Sequence, residues 1–132
     1  MTKFFIITLV IASLAAVLVA CRNSSAKLEV GGLYSINNGD GQFGVAKLLA
    51  HGDGICHVRI YAQKFATRPA TVDLSTLSLG KINDPGGAGL GHLPLREAGF
   101  LAWQPVLIAR TNVTADELDG YNMWKEGSGG AF

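Results

Sequence analysis

The chain has 132 residues, a formal net charge of +1 and 16% charged residues. That length holds one domain, the lack of any basic stretch leaves nucleic-acid binding without electrostatic support, and 48% hydrophobic residues is too many for a disordered chain. Glycine, at 17 residues, is about twice its usual share of roughly 7%, which points to many tight turns.

The opening segment reads as an address. Met1, Thr2 and Lys3 precede an apolar run from Phe4 to Ala20 in which only Thr8 and Ser13 are polar. The run of 17 residues is at the lower edge of the roughly 20 that span a bilayer. One Lys before a short apolar stretch is the layout of a secretory signal. The run ends in Leu18-Val19-Ala20-Cys21. These residues resemble the lipobox of bacterial lipoproteins, in which a small residue precedes an invariant Cys. The resemblance implies a signal peptide over 1–20 and a diacylglycerol thioether on Cys21. It also implies acylation of the new N-terminus. Several chains anchor stably, because each buried CH₂ contributes about 0.8 kcal/mol and one chain alone is marginal. Arg22, rather than Asp, after the Cys implies by the same resemblance the periplasmic face of the outer membrane. The competing reading is an uncleaved anchor helix with Cys21 placed by chance. Position and flanking residues favour the lipoprotein.

Cleavage removes one of the 11 basic residues, Lys3, and leaves 10 against 10 acidic. A near-neutral domain is not drawn strongly to anionic surfaces. A thioether on Cys21 also forbids a disulfide with Cys56, the only other Cys. Cys56 is then an odd cysteine in an oxidising compartment, buried and inert or exposed and reactive. Residues 21–27 form the lipidated Cys and a polar tether, 28–126 a single small β-rich domain, and 127–132 a glycine-rich tail expected to fray.

Within the domain, Leu33 to Ile36 reads as a first strand. Asn37-Asn38-Gly39-Asp40-Gly41 is a turn, because Asn, Asp and Gly tolerate positive φ. Phe43 to Ala50 and Ile55 to Ala62 flank His51-Gly52-Asp53-Gly54, the strongest hairpin signal in the chain. Apolar residues on both sides of the second strand predict a central strand, or a bulge at Gly44. The third strand alternates. Cys56, Val58, Ile60 and Ala62 form a small apolar core face, with Ile55, His57, Arg59 and Tyr61 on the other side. Cys56 is therefore expected to behave as a buried small hydrophobe.

Thr71 to Leu79 is a candidate fourth strand. A long loop follows from Gly80 to His92, then a helical turn or two between Pro94 and Trp103, then a last strand from Pro105 to Arg110. Thr114-Ala115-Asp116-Glu117 fits a capping box, and Leu118, Tyr121 and Trp124 share one face of the helix it opens. The fold class is mainly β: a small antiparallel SH3-like barrel, or a sheet, with one C-terminal helix. The alternative is an α+β sheet with the helix packed on it.

Chemistry is sparse. His51, His57 and His92 have no i, i+4 spacing and no Cys pair to support them, so no metal centre is expected, and no cofactor. Cys56 and His57 are adjacent on a strand, point to opposite faces and cannot form a nucleophile–base pair. The glycine-rich loop Gly86–Gly91 lacks the Gly-Lys-Ser/Thr ending of a phosphate cradle. Asp40, Asp53, Asp73 and Asp84 fall in or near turns, where Asp is favoured for backbone reasons. The most suggestive surface is His57, Arg59 and Tyr61, with Arg68 and Trp103 as further candidates, because Arg, Tyr and Trp dominate binding hot spots. The blander reading is a solvated cross-strand ladder.

Gly44-Val45-Ala46-Lys47-Leu48-Leu49-Ala50, His57-Val58-Arg59-Ile60-Tyr61 and Gly91-His92-Leu93-Pro94-Leu95 resemble a family of small uncharacterised bacterial proteins. The resemblance runs from about Val30 to Trp124 and implies an intact compact domain and no mechanism. The expectation is a lipid-anchored envelope protein with a non-catalytic binding or scaffold domain and an envelope protein as its partner. Alternatives are an inhibitor or immunity-like lipoprotein that blocks an envelope enzyme, and a small hydrolase using His92.

Overall fold

The computed structural model describes residues 27–127 and 129–132. The expected signal peptide and Cys21 lie outside the described residues. Five strands form one antiparallel sheet in the order β4-β3-β2-β1-β5. They are β1 (Gly32–Asn37), β2 (Phe43–Gly52), β3 (Ile55–Ile60), β4 (Leu90–Arg96) and β5 (Val106–Arg110). A short helix α1 (Glu97–Ala102) links β4 to β5, and α2 (Asp119–Glu126) follows the last strand. This is the expected β-rich sheet with one C-terminal helix. The barrel does not close, because β4 and β5 lie at opposite edges of the sheet. Among the described residues no helix is long and apolar enough to cross a membrane.

The first three strands arise from local turns. Asp53 and Gly54 have φ of 54° and 74°. Two positive values in a two-residue loop make a type I′ turn, whose twist matches that of the flanking strands. Gly52 and Ile55 close this hairpin. β2 is a central strand, as expected, with β1 on one side and β3 on the other. Its bulge lies at Leu49 rather than Gly44: Leu48 faces Val58 while Ala50 faces His57.

The chain from Thr71 to Leu79 is not a strand. Asp73 accepts a hydrogen bond from Ser75 N at 3.0 Å and caps a 3₁₀ turn over Leu74–Thr76. A short polar side chain that bonds its own backbone competes with a sheet ladder, and here the turn prevails. The segment expected to hold a helical turn divides into the end of β4 and all of α1. The expected capping box forms, with Glu117 accepting from Thr114 N at 3.0 Å and Glu117 N donating to Thr114 Oγ1 at 3.4 Å. It opens a 3₁₀ turn, Asp116–Leu118, that runs into α2.

The sheet is covered on both faces. One face holds the apolar core: Tyr34, Ile36, Ala46, Leu48, Cys56, Val58 and Leu95, closed by Phe100 of α1. Phe100 meets Tyr34 and Trp103 edge-on, with ring centroids 5.9 and 6.0 Å apart. The Tyr34 hydroxyl accepts from Glu29 N and donates to Lys27 O, so its polar end is satisfied. The opposite face carries Ser35, Lys47 and His57, all buried. The 3₁₀ turn and α2 lie on part of that second face.

Candidate functional site

β3 and β4 bring two histidines together on the second face. His57 pairs with Pro94 across the strands, and His92, two residues before Pro94, shares its side of the sheet. Between Val58 and Ile60 the register shifts, so Gly91 and His92 together oppose Arg59. His57 Nδ1 and His92 Nε2 are hydrogen-bonded at 2.9 Å. The rings lie within 8° of parallel with centroids 5.1 Å apart. The nitrogens are much closer than the ring centres, so the imidazoles meet edge to edge in nearly one plane. A single proton occupies that bond, and the two tautomers are therefore linked.

Helix α2 closes over the pair. Tyr121 and Trp124 present their rings at 4.6 and 4.4 Å from the His57 centroid. The helix comes this close because residue 120 is glycine. A Cβ there would lie 2.6 Å from His92 Cβ. His57 is only 3% exposed, and its pKa is pushed down to about 4, first by burial and then by the positive charge His92 would carry. Burial also lowers the pKa of His92. Both rings are neutral at ordinary pH.

The exposed face expected from His57, Arg59 and Tyr61 does not form as a solvated surface. The alternation of β3 is as read, with Cys56 and Val58 in the core, yet the other side is capped in turn. His57 lies under α2. Arg59 is half-buried, and its Nε has no hydrogen-bond partner. Tyr61 lies beside Arg59, whose guanidinium carbon is 6.0 Å from the ring centroid. Arg68 is a staple: its Nη1 donates to Ser35 O, Ser35 Oγ and Gln104 O, and its guanidinium lies 4.9 Å from the Phe43 ring centroid. Trp103 packs beside the apolar core on the opposite face. Of the five candidates, Arg59 and Tyr61 are neighbours, and Tyr61 and Trp103 share one cleft.

They meet in a cleft of about 350 Å³, a volume in the range of small-ligand sites. Ile36, Ile60, Leu90 and Trp103 give it apolar walls, and the exposed Asn38, Asp40 and Lys64 stand around it. The glycine-rich loop forms one side through Gly86, Ala88 and Gly89. Gly89 N donates to Leu79 O at 2.7 Å and fixes the return of that loop toward β4. Asn37 and Asp40 serve the adjoining turn, accepting from Gly39 N and Gln42 N. No periodic signal in the sequence could mark this cleft, because its walls come from five separate segments.

Lys47 is a buried ion on the same face. Its Nζ donates to Asn112 O at 2.6 Å and to Glu117 Oε1 at 2.9 Å. Glu117 also accepts from Thr114, and these bonds outweigh burial and lower its pKa. Cys56 is fully buried, and burial, then the charge of Glu97, pushes its thiol up to about 11. It is a poor nucleophile there.

His92 stands on β4 rather than in the glycine-rich loop, and its Nε2 is tied to His57. No Ser, Thr or Cys side chain hydrogen-bonds to it among the described residues. Nor does any group of three His, Cys, Asp or Glu among those residues hold the geometry of a metal site. No protein-family model, curated protein or solved structure matches the chain.

Proposed function

We propose that the protein is a lipid-anchored component of the bacterial cell envelope whose domain is a non-catalytic binding module, with its ligand seated in the cleft beside Trp103. The anchor half rests on Leu18-Val19-Ala20-Cys21 behind a short apolar run. The binding half rests on one observation: a concave site with Trp103, Ile36 and Ile60 in its wall and exposed polar side chains around it. Apolar walls with a few polar groups are the common layout of small-molecule sites. An aromatic wall supplies a large contact area with little side-chain entropy to lose.

Two experiments test the halves separately. Mass spectrometry of the membrane fraction should find Cys21 acylated, and Cys21→Ser should leave an unprocessed precursor; an unmodified Cys21 in the wild-type protein removes the anchor. For the cleft, a panel of fragment-sized compounds is added to the full chain in detergent and followed by NMR. Shifts should cluster at the Trp103 indole, Tyr61 and Gly89, and Trp103→Ala should abolish them. If shifts fall elsewhere, the cleft is not the binding site.

A further inference from the structure

The end of the chain is wound around the histidine pair. Trp124 covers His57, and its indole Nε1 donates to Gly130 O at 2.9 Å. Residue 129 must be glycine for this turn, since a Cβ there would lie 2.2 Å from Trp124 Cδ1. The chain then reaches the free edge of β4. Phe132 N donates to Pro94 O at 3.0 Å, and Arg96 N donates to Phe132 O at 2.7 Å. Bonds from one residue to positions on either side of Leu95 are the parallel pairing pattern. The tail expected to fray is thus tied to the sheet at residue 132.

We infer that helix α2 and residues 129–132 form a cover over the His57–His92 pair that acidification releases as a unit, while the rest of the sheet stays folded. Among the described residues, the pair is the only place where the cover meets titratable imidazoles. One added proton can be held within the bond, but as a charge buried beneath α2. A second turns both facing nitrogens into donors and breaks the bond. The surrounding groups do not relieve this. From α2 come Asp119, Tyr121, Lys125 and Glu126, and from the preceding turn Asp116 and Glu117. Glu117 is committed to Lys47 and Thr114. None of these carboxylates counters the burial of either imidazole. From β2, His51 is paired with Glu97. Lys47, Arg59 and Lys125 are cations and offer a proton no partner. On β3, Cys56 lies on the far face.

The cover is also lightly held. No residue of α2 is fully buried. Its attachments are the aromatic contacts to His57, the close approach of Gly120 to His92, and the two main-chain bonds at Phe132. Elements with few buried apolar contacts open at lower cost than the whole molecule. Opening would free the edge of β4 at Leu95. Pro94 offers that edge a carbonyl but no N–H.

Hydrogen exchange of the full chain in detergent, read by NMR and corrected for the intrinsic pH dependence, tests this. As pH falls from 6.5 toward about 4, the ordinary and buried pKa values of His57, the Phe132 amide and Trp124 indole should lose protection. The loss should be about tenfold or more relative to the Val58 amide, which belongs to the core. The His57 and His92 imidazole signals should titrate over the same range. His57→Gln with His92→Gln keeps a neutral hydrogen-bonding pair and should remove the step. His92→Gln alone, if the double variant fails to fold, should move the step. Full protection of Phe132 throughout the range overturns the inference. Simultaneous loss at Val58 does so as well, because that is unfolding of the whole domain. A step unchanged in a variant that folds also overturns it.

Discussion

The two faces of the sheet are closed by different means. The α1 face is closed by apolar rings and aliphatic side chains, with Phe100 fully buried against Tyr34. The α2 face buries the apolar Leu33 and Val45 but also Ser35, Lys47 and His57, and each of these polar groups needs a partner: Arg68 for Ser35, Glu117 for Lys47, His92 for His57. Apolar burial is indifferent to pH, while a buried ionisable group is stable in one protonation state only. The difference separates a face that holds the fold from a face whose closure is conditional.

The comparison breaks first at its strongest point. Phe100→Ala removes a fully buried ring and should cost about 3–5 kcal/mol, unfolding the domain as one unit. Trp124→Ala, at the matching place on the other face, removes a half-exposed ring. It should cost less than half as much and leave the core amides protected. Urea titrations with both probes check this, and equal losses would mean that the two faces are one cooperative structure.

Acid should act on one face only. His57 has a folded-state pKa below its unfolded value, so the unfolded chain binds the proton first as pH falls. Stability conferred by the neutral ring is complete above about 6.5 and is lost on the way down to about 4. A shift of that size corresponds to a loss on the order of 3 kcal/mol, capped by whatever it costs to lift α2 away. Glu117 and Glu29 have lowered pKa values. Their stabilisation is present above the ordinary carboxylate range and is lost only below it, so losses above pH ~4.5 belong to the histidines. Stability curves of wild type and His57→Gln should diverge in that upper window and run parallel below it.

The sequence carried the local elements well. The Asp53-Gly54 hairpin, the alternation of Cys56 and Val58, the central character of β2 and the Thr114–Glu117 cap are all set by neighbours within a few residues. The bulge at Leu49 and the turn at Asp73 were hidden, because each is decided by competition between two hydrogen-bonding arrangements. The meeting of His57 with His92 joins residues 35 apart, and the cleft joins five segments. Neither leaves a period in the chain. One clue was present: Leu118, Tyr121 and Trp124 share an apolar helix face that had to be buried somewhere. The polar side of β3 was the face left without a cover.

Gly120→Ala tests how closely that cover fits. Alanine raises helix propensity by about 1 kcal/mol. The new methyl meets His92 Cβ at 2.6 Å, and overpacking of this kind costs about 1–3 kcal/mol. The net should be a loss of about 1 kcal/mol, confined to α2. Exchange at the Trp124 indole should speed up while the Val58 amide is unchanged. A stabilised variant would show that α2 can shift without touching His92.

Arg59→Ala should have the smallest effect, because the terms oppose one another. Arg59 lies directly across from Lys47 on the neighbouring strand, and like charges in that position repel. Its Nε is buried with no partner, so removing it relieves a desolvated donor. Against this stand the lost packing of the side-chain stem and a cation–π contact to Tyr61 at 6.0 Å, near the limit of that interaction. Thermal unfolding should move by no more than about 0.5 kcal/mol equivalent in either direction. Partner capture from envelope extracts then separates the two surfaces the chain offers. If the ligand sits in the cleft, Trp103→Ala reduces capture and Arg59→Ala leaves it intact. If Arg59→Ala alone weakens capture by more than about 2 kcal/mol, a hot-spot loss, the partner engages the polar side of β3. The cover formed by α2 must then open before the partner binds.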